Sequence, residues 1–336
     1  MTQPSRRTAA VAGLLAAVLT VLTGCAASPD AASDGGGSGL GGGFFGGAKT
    51  SQPFDVRPLV KPEKKYFGVA RGDAPTSMAP VDEYTEMVGK HPNLIEYYAA
   101  WGHGFNAAGV RNAWKAGTLT VVSWEPFDTP LRDIAAGGSD AYVREYARAV
   151  RKLNLPVVIS FADEMNGHWE KWGTKTTTPE EYVAAWRRVR DLFHEVGAAN
   201  VIWAWSPNII NPVRTVDIAK YYPGDAYVDW VGVIGYYTRN DANPFPNMFG
   251  LTITKVRTFT QKPVLILETA AEPGERRIAD INSLFAGVAA DPAIVGFVWF
   301  DMPKRSDWRL SANPSALKEF KRLAADDRFG FDVRKL

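Results

Sequence analysis

The chain has 336 residues, 46% hydrophobic and 12% aromatic, enough for one large domain or two small ones once flexible ends are set aside. Lys and Arg number 38 against 36 Asp and Glu, a formal net charge of +2. No electrostatic excess points to a nucleic acid or another polyanion, and a neutral or weakly charged substrate is expected.

At the N-terminus, Arg6 and Arg7 precede an apolar run from Ala9 to Leu22 that is short for a membrane span and reads as a targeting segment. It ends in Leu22-Thr23-Gly24-Cys25, which resembles the lipobox of bacterial lipoproteins, where the Cys is lipidated. Cys25 is the only Cys in the chain, so neither a disulfide nor a catalytic thiol in the folded part competes for it. Residues 1–25 are therefore expected to be a lipoprotein signal, with Cys25 as lipidation site and membrane anchor of an extracytoplasmic protein. Residues 26–50, mostly Gly, Ala and Ser, bury too little apolar surface to order themselves and read as a tether. The folded domain is expected over residues 51–336, as a monomer.

Within it, short apolar or β-branched runs alternate with longer segments of helical spacing, the pattern of βα units on a parallel sheet. The runs are Tyr66–Ala70, Leu94–Trp101, Leu119–Trp124, Pro156–Phe161, Val201–Trp205, Trp230–Tyr236, Val264–Glu268 and Ile294–Phe300. Several lack polar alternation, as strands covered on both faces do. Between them, Asp140–Leu153 has helical periodicity, and Pro179–Val196 does too, with Thr178 as N-cap. A count of eight predicts a closed (β/α)8 TIM barrel in one catalytic domain, with its chemistry at the C-terminal ends of the strands.

Polar and aromatic residues gather at those ends: Trp124-Glu125, Asp163-Glu164, Ser206 and Asn208, Tyr236, Glu268, and Trp299 with Asp301. Acetal hydrolysis needs a proton for a poor leaving oxygen and a negative group near the developing oxocarbenium carbon, tasks that two carboxyls in unlike environments perform. Glu164 and Glu268 follow the fourth and seventh strands, on opposite sides of a barrel mouth, and Glu268 emerges from the apolar run Pro263–Leu267. A retaining pair stands ~5–5.5 Å apart and an inverting pair ~6.5–9.5 Å, a difference that spacing along the chain does not measure.

Glu164 belongs to the string Phe161-Ala162-Asp163-Glu164-Met165-Asn166-Gly167-His168-Trp169-Glu170-Lys171-Trp172-Gly173. This string resembles the acid/base loop of glycoside hydrolase family 26, the family of β-mannanases with some mixed-linkage β-glucanases and β-1,3-xylanases. Trp203-Ala204-Trp205-Ser206-Pro207-Asn208 and Tyr221–Asp225 followed by Asp229–Gly232 resemble later segments of the same family, in the same order. The resemblance implies a clan A (β/α)8 glycosidase acting with retention on β-linked polysaccharide, with Glu164 as general acid/base and Glu268 as nucleophile. It further implies that Tyr236 orients the nucleophile and that Trp299 is the aromatic platform beneath the sugar. Trp101, His103, Trp124, Asp163, Asn166, Trp169, Trp172, Trp205 and Asn208 complete the expected substrate-binding set. Two departures stand out: Asp163 where many family mannanases have His, and Val158-Ile159-Ser160 where they tend to carry Arg.

The four His show no His-x-His or His-Glu-x-x-His spacing, so no catalytic metal is expected, and no cofactor. No Lys ends a strand as a Schiff base would need, and the loops after the last two strands lack the Gly-rich character of a phosphate site. The alternative class is a cell-surface glycan-binding barrel that has lost turnover.

Overall fold

The computed structural model describes residues 52–239 and 244–336. The expectations for residues 1–50, including Cys25, lie outside the described residues. After a short helix α1 (Arg57–Val60), eight strands alternate with helices. They are β1 (Tyr66–Ala70), β2 (Leu94–Ala100), β3 (Leu119–Glu125), β4 (Val157–Phe161), β5 (Val201–Trp205), β6 (Trp230–Ile234), β7 (Val264–Thr269) and β8 (Ile294–Phe300). All pair in parallel, and β1 joins β8 to close a barrel in the order β1 to β8. This is the (β/α)8 architecture expected from the eight runs.

The helices outside the barrel are α2 (Ala79–Val88), α3 (Ala107–Lys115), α4 (Leu131–Ala135), α5 (Asp140–Leu153), α6 (Pro179–Val196), α7 (Leu251–Val256), α8 (Arg277–Ala290) and α9 (Pro314–Ala324). The longest, α6, begins with a full capping box. Thr178 Oγ1 accepts from the Glu181 amide at 3.2 Å, and the Glu181 carboxylate accepts from the Thr178 amide at 2.9 Å. Pro179 fits the first helical position, whose amide has no partner anyway, and Gly197 ends the helix at φ 76°. Its inner face buries Trp186 and Phe193 against Trp203 of β5, with ring centroids 5.5 and 5.0 Å apart.

Two local features aim the site. Inside the barrel, the layer below the mouth is polar: Ser123 Oγ donates to Glu96 Oε1 at 2.7 Å, and Ser160 Oγ donates to Ser206 Oγ at 2.7 Å. On β7, Ile266 pairs with Val233 and with Phe297, whereas the next pairs are Glu268 with Ile234 and Thr269 with Trp299. Strand β7 thus carries one residue more than either neighbour just where Glu268 leaves it. Such a bulge turns a strand locally and re-aims the side chain that follows.

Candidate active site

Glu164 sits at φ 52°, in the left-handed region that few residues other than glycine adopt. Its backbone is pinned on both sides: its amide donates to the Ser206 carbonyl at 2.7 Å, and its carbonyl accepts from the Gly167 amide at 2.7 Å. The two glycines of its loop are needed for space. A Cβ on Gly167 would lie 2.5 Å from the Trp169 ring, and one on Gly173 would lie 2.4 Å from the Gly167 carbonyl. The chain therefore folds Trp169 back, and its Nε1 donates to Glu164 Oε2 at 3.1 Å. The other carboxylate oxygen accepts from Asn208 Nδ2. Asn208 is in turn held by Asn166, whose Nδ2 donates to the Asn208 carbonyl at 2.9 Å and whose Oδ1 accepts from the Asn208 amide at 2.8 Å.

Glu268 accepts from two tyrosines, Tyr236 on Oε1 and Tyr98 on Oε2. Burial, and then the charge of Glu268, push both phenols well above their usual pKa, so both remain hydroxyls and donate. Two hydroxyl donors match the two acceptor oxygens of the Glu268 side chain. Glu164 differs: burial first, and then the charge of Glu268, raise its carboxyl from 4.5 to about 7, against the opposing hydrogen bonds of Trp169 and Asn208. One member of the pair is thus kept ready to hold a proton at neutral pH, while the other is solvated by hydroxyls.

Both carboxyls open into one cavity of about 700 Å3 at the mouth of the barrel, which Trp169, Glu170, Asn208, Tyr236 and Trp308 also line. The size suits one or two sugar rings. A model of glycosyl hydrolase family 26 matches residues 139–271, a stretch that includes both acids with Trp169, Asn208 and Tyr236 but not Tyr98. Over that stretch the chain is similar to glycosyl hydrolase family 26. It is 27% identical over 272 residues to endoglucanase H of Acetivibrio thermocellus, covering 76% of this chain and 30% of that protein. The chain therefore spans less than a third of that relative. Over 81 residues it is 36% identical to mannan endo-1,4-beta-mannosidase A and B of Caldalkalibacillus mannanilyticus, 22% of this chain and 15% of that one. Among solved structures, the catalytic domain of a Bacillus sp. JAMB-750 family 26 endo-beta-1,4-mannanase superposes with a TM-score of 0.63 at 20% identity, over 80% of this chain and 87% of that one.

The barrel does not bring all the expected residues to the cavity. Trp124 is fully buried on the helix side, stacked on Tyr146 at 4.1 Å, with Nε1 donating to Tyr142 at 3.2 Å. Trp205 packs edge-on against Tyr222 and Phe259, and Trp299 against Phe320 of α9 at 5.1 Å. These three are corrections. On a strand, side chains alternate between the barrel interior and the helices. Phe297, turned out onto Phe285, sets the parity that sends Trp299 outward and Phe300 inward, toward Tyr98 and Tyr236. The aromatic wall of the cavity is Trp308 instead, in the loop after β8, 4.8 Å from the Tyr236 ring.

Trp101 packs on Trp124 at 4.4 Å and donates to Ser139 at 3.3 Å, beside the mouth rather than on the cavity. His103 is exposed; its amide donates to the Ala100 carbonyl at 3.2 Å and its carbonyl accepts from Tyr142 at 2.8 Å. Trp172 is buried and braces the loop, with Nε1 donating to the Asp163 carbonyl at 2.6 Å. Asn166 likewise acts on Asn208 rather than on the cavity. Asp163 is buried too, with Oδ1 lacking a hydrogen-bond partner among the described residues, and burial pushes its carboxyl far up. It is Glu268, not the adjacent Asp163, whose charge acts most on Glu164.

Sequence reasoning missed Tyr98, Glu96 and Trp308 as parts of the site. Glu96 and Tyr98 stand two residues apart on β2, and that spacing signals a shared inward face. Trp308 lies in a loop with no periodicity to read. Its backbone is fixed by the buried Arg277, whose Nη2 donates to the carbonyls of Trp308 and Arg309 at 2.7 and 3.0 Å.

Proposed function

We propose that this chain is a retaining glycoside hydrolase that cleaves β-linked polysaccharide or oligosaccharide of the β-mannan, mixed-linkage β-glucan or β-xylan type. The observation that carries the reading is the unlike setting of two carboxyls on one cavity: Glu164 raised to about 7, Glu268 held by two hydroxyls. Glu268 attacks the anomeric carbon as the bond to the leaving oxygen breaks, and Glu164 gives that oxygen its proton. Esterification removes the charge of Glu268, which was raising Glu164, so the Glu164 carboxyl falls and becomes a better base. It then takes a proton from the incoming water as the bond from Glu268 to the sugar breaks.

Proton NMR of the first-formed product tests the stereochemistry: a β-anomer appearing before mutarotation is expected, and an initial α-anomer contradicts retention. Glu268→Ala is expected to abolish turnover. Glu164→Ala is expected to spare substrates with good leaving groups, since these need no proton; equal loss for all leaving groups removes Glu164 from the acid role. At the other end of the chain, we propose that Cys25 carries a lipid that holds the barrel to the outer face of a membrane through the Gly-rich segment. Detergent phase partitioning of the full chain against Cys25→Ser checks this: the parent chain is expected in the detergent phase and the variant in the aqueous one.

A further inference from the structure

Beside its four glutamates, Glu164, Glu170, Glu268 and Glu272, the cavity is lined by three cations. Arg214 stands at the end of the 3-10 turn Asn211–Val213 after β5, while Lys304 and Arg305 come from the loop after β8, and all three line the cavity with Glu164 and Glu268. The β8 loop is a built feature. Pro303 bridges Asp307 in antiparallel fashion, and the Lys304 amide donates to the Ser306 carbonyl at 3.0 Å, so the two cations occupy the tip of a tight turn that ends in Trp308. The Lys304 ammonium lies 5.8 Å from the centroid of the Phe300 ring.

How other cations in this chain are treated makes the contrast. Arg57, Arg309, Arg328 and Arg334 are each clamped by an aspartate two residues earlier in sequence, at 2.7, 2.8, 2.6 and 2.9 Å. Among the described residues, Arg214, Lys304 and Arg305 have no carboxylate within salt-bridge distance. None of the four acids that share their cavity forms an ion pair with them. Glu272 faces Arg239 at 3.8 Å, and Glu170 feels Lys304 and Arg305 without pairing. A net charge of only +2 over the whole chain hides this local arrangement. Unpaired cations at the rim of a concave site attract an anion, and guanidinium groups fit the planar fork of a carboxylate or the oxygens of a phosphate.

We propose that the cavity takes a glycan bearing an acidic substituent, a carboxylate or a phosphate, which Arg214, Lys304 and Arg305 select. This rests on the glycosidase reading and names the substrate class for it. Arg214 and the Lys304–Arg305 turn act on the substituent, not on the bond that breaks.

The test measures calorimetric binding to the full chain carrying Glu268→Gln, so that affinity is read whether or not the protein turns over. One arm compares a glucuronate-bearing β-glycan with its carboxyl-reduced form, the other a phosphorylated glycan with its phosphatase-treated form. In at least one arm the acidic form is expected to bind about tenfold tighter, and the arm that responds identifies the acid. The preference should shrink toward unity in Arg214→Ala and Arg305→Ala, both checked for unchanged thermal unfolding, and in high salt. Equal binding of the paired forms in both arms, a preference for the neutral form, binding of neither acidic glycan, or a preference that survives both substitutions overturns the proposal. Release of reducing ends by the unmodified chain is scored separately. Turnover of neutral glycans without acid preference sinks this inference and leaves the glycosidase; acid-selective binding without any turnover does the reverse.

Discussion

At the scale of single residues, the site rests on how differently two glutamates are solvated. Tyr98 and Tyr236 each give a hydroxyl to Glu268, whereas Glu164 has burial and the charge of its partner working against its ionisation, and Trp169 and Asn208 working for it. The sign of each contribution makes a prediction. If Glu164 must be protonated to act, kcat/KM falls as pH rises through about 7. Asn208→Ala removes a hydrogen bond that favours the charged form, so the alkaline limb should move to higher pH, with a lower kcat from the loss of orientation. A pH–rate profile checks this, and an unshifted or acid-shifted limb counts against Glu164 as the acid.

Elements explain which aromatics face the cavity. Strands covered on both faces show no polar alternation, so β8 reads as Ile-Val-Gly-Phe-Val-Trp-Phe with nothing to mark its parity. The packing of Phe297, Trp299 and Phe320 supplies that parity and exchanges the expected role of Trp299 for that of Trp308. Trp299→Ala should therefore cost about 3–5 kcal/mol of stability, as large-to-small changes in a core do. Trp308→Ala should leave unfolding closer to the parent and raise KM about tenfold. Chemical denaturation and steady-state kinetics on both variants separate the two, and a stable Trp299→Ala protein with weakened substrate binding would restore the earlier expectation.

The same limit decides what was legible. Helix α6 could be read to its ends, because Thr178, Pro179, Glu181 and Gly197 each solve a terminus problem locally. Strands β1, β5 and β8 also match their predicted spans. The bulge on β7 is invisible in Val-Leu-Ile-Leu-Glu-Thr, since it exists only relative to the registers of β6 and β8. Glu164, Glu268, Tyr236, Asn208 and Trp169 were found through motif and strand order, and they do converge on one cavity. Tyr98 and Arg277 went unseen because their work is done on residues 170 positions away and 31 or 32 positions away.

For the whole molecule, gathering carboxyls at one barrel end has an energetic consequence. Burial raises Glu164 to about 7 and Glu125 to about 8, and pushes Glu96 and Asp163 upward as well. A group raised in the folded state keeps its proton where the unfolded chain, near 4.5, has lost it. The stability it contributes is therefore complete below about pH 4.5 and is lost as pH rises through about 7 to 8. Thermal unfolding should peak on the acid side of neutrality and decline toward pH 8. The isosteric Glu125→Gln change should relieve part of that decline, on the order of 2 kcal/mol at pH 8, and do little at pH 5. Parallel melting curves for parent and variant across this range would mean that Glu125 is not a strained acid.

The central claim is that the buried pair works in sequence through a bond to Glu268. The most direct measurement is peptide mass mapping after incubation of the full chain with an activated 2-deoxy-2-fluoro β-glycoside of the sugar it cleaves, which slows the second step more than the first. A single glycosyl adduct on the peptide that holds Glu268, forming as activity disappears, is the predicted result. Inactivation with the adduct on another residue, or continued turnover with no adduct, would contradict it.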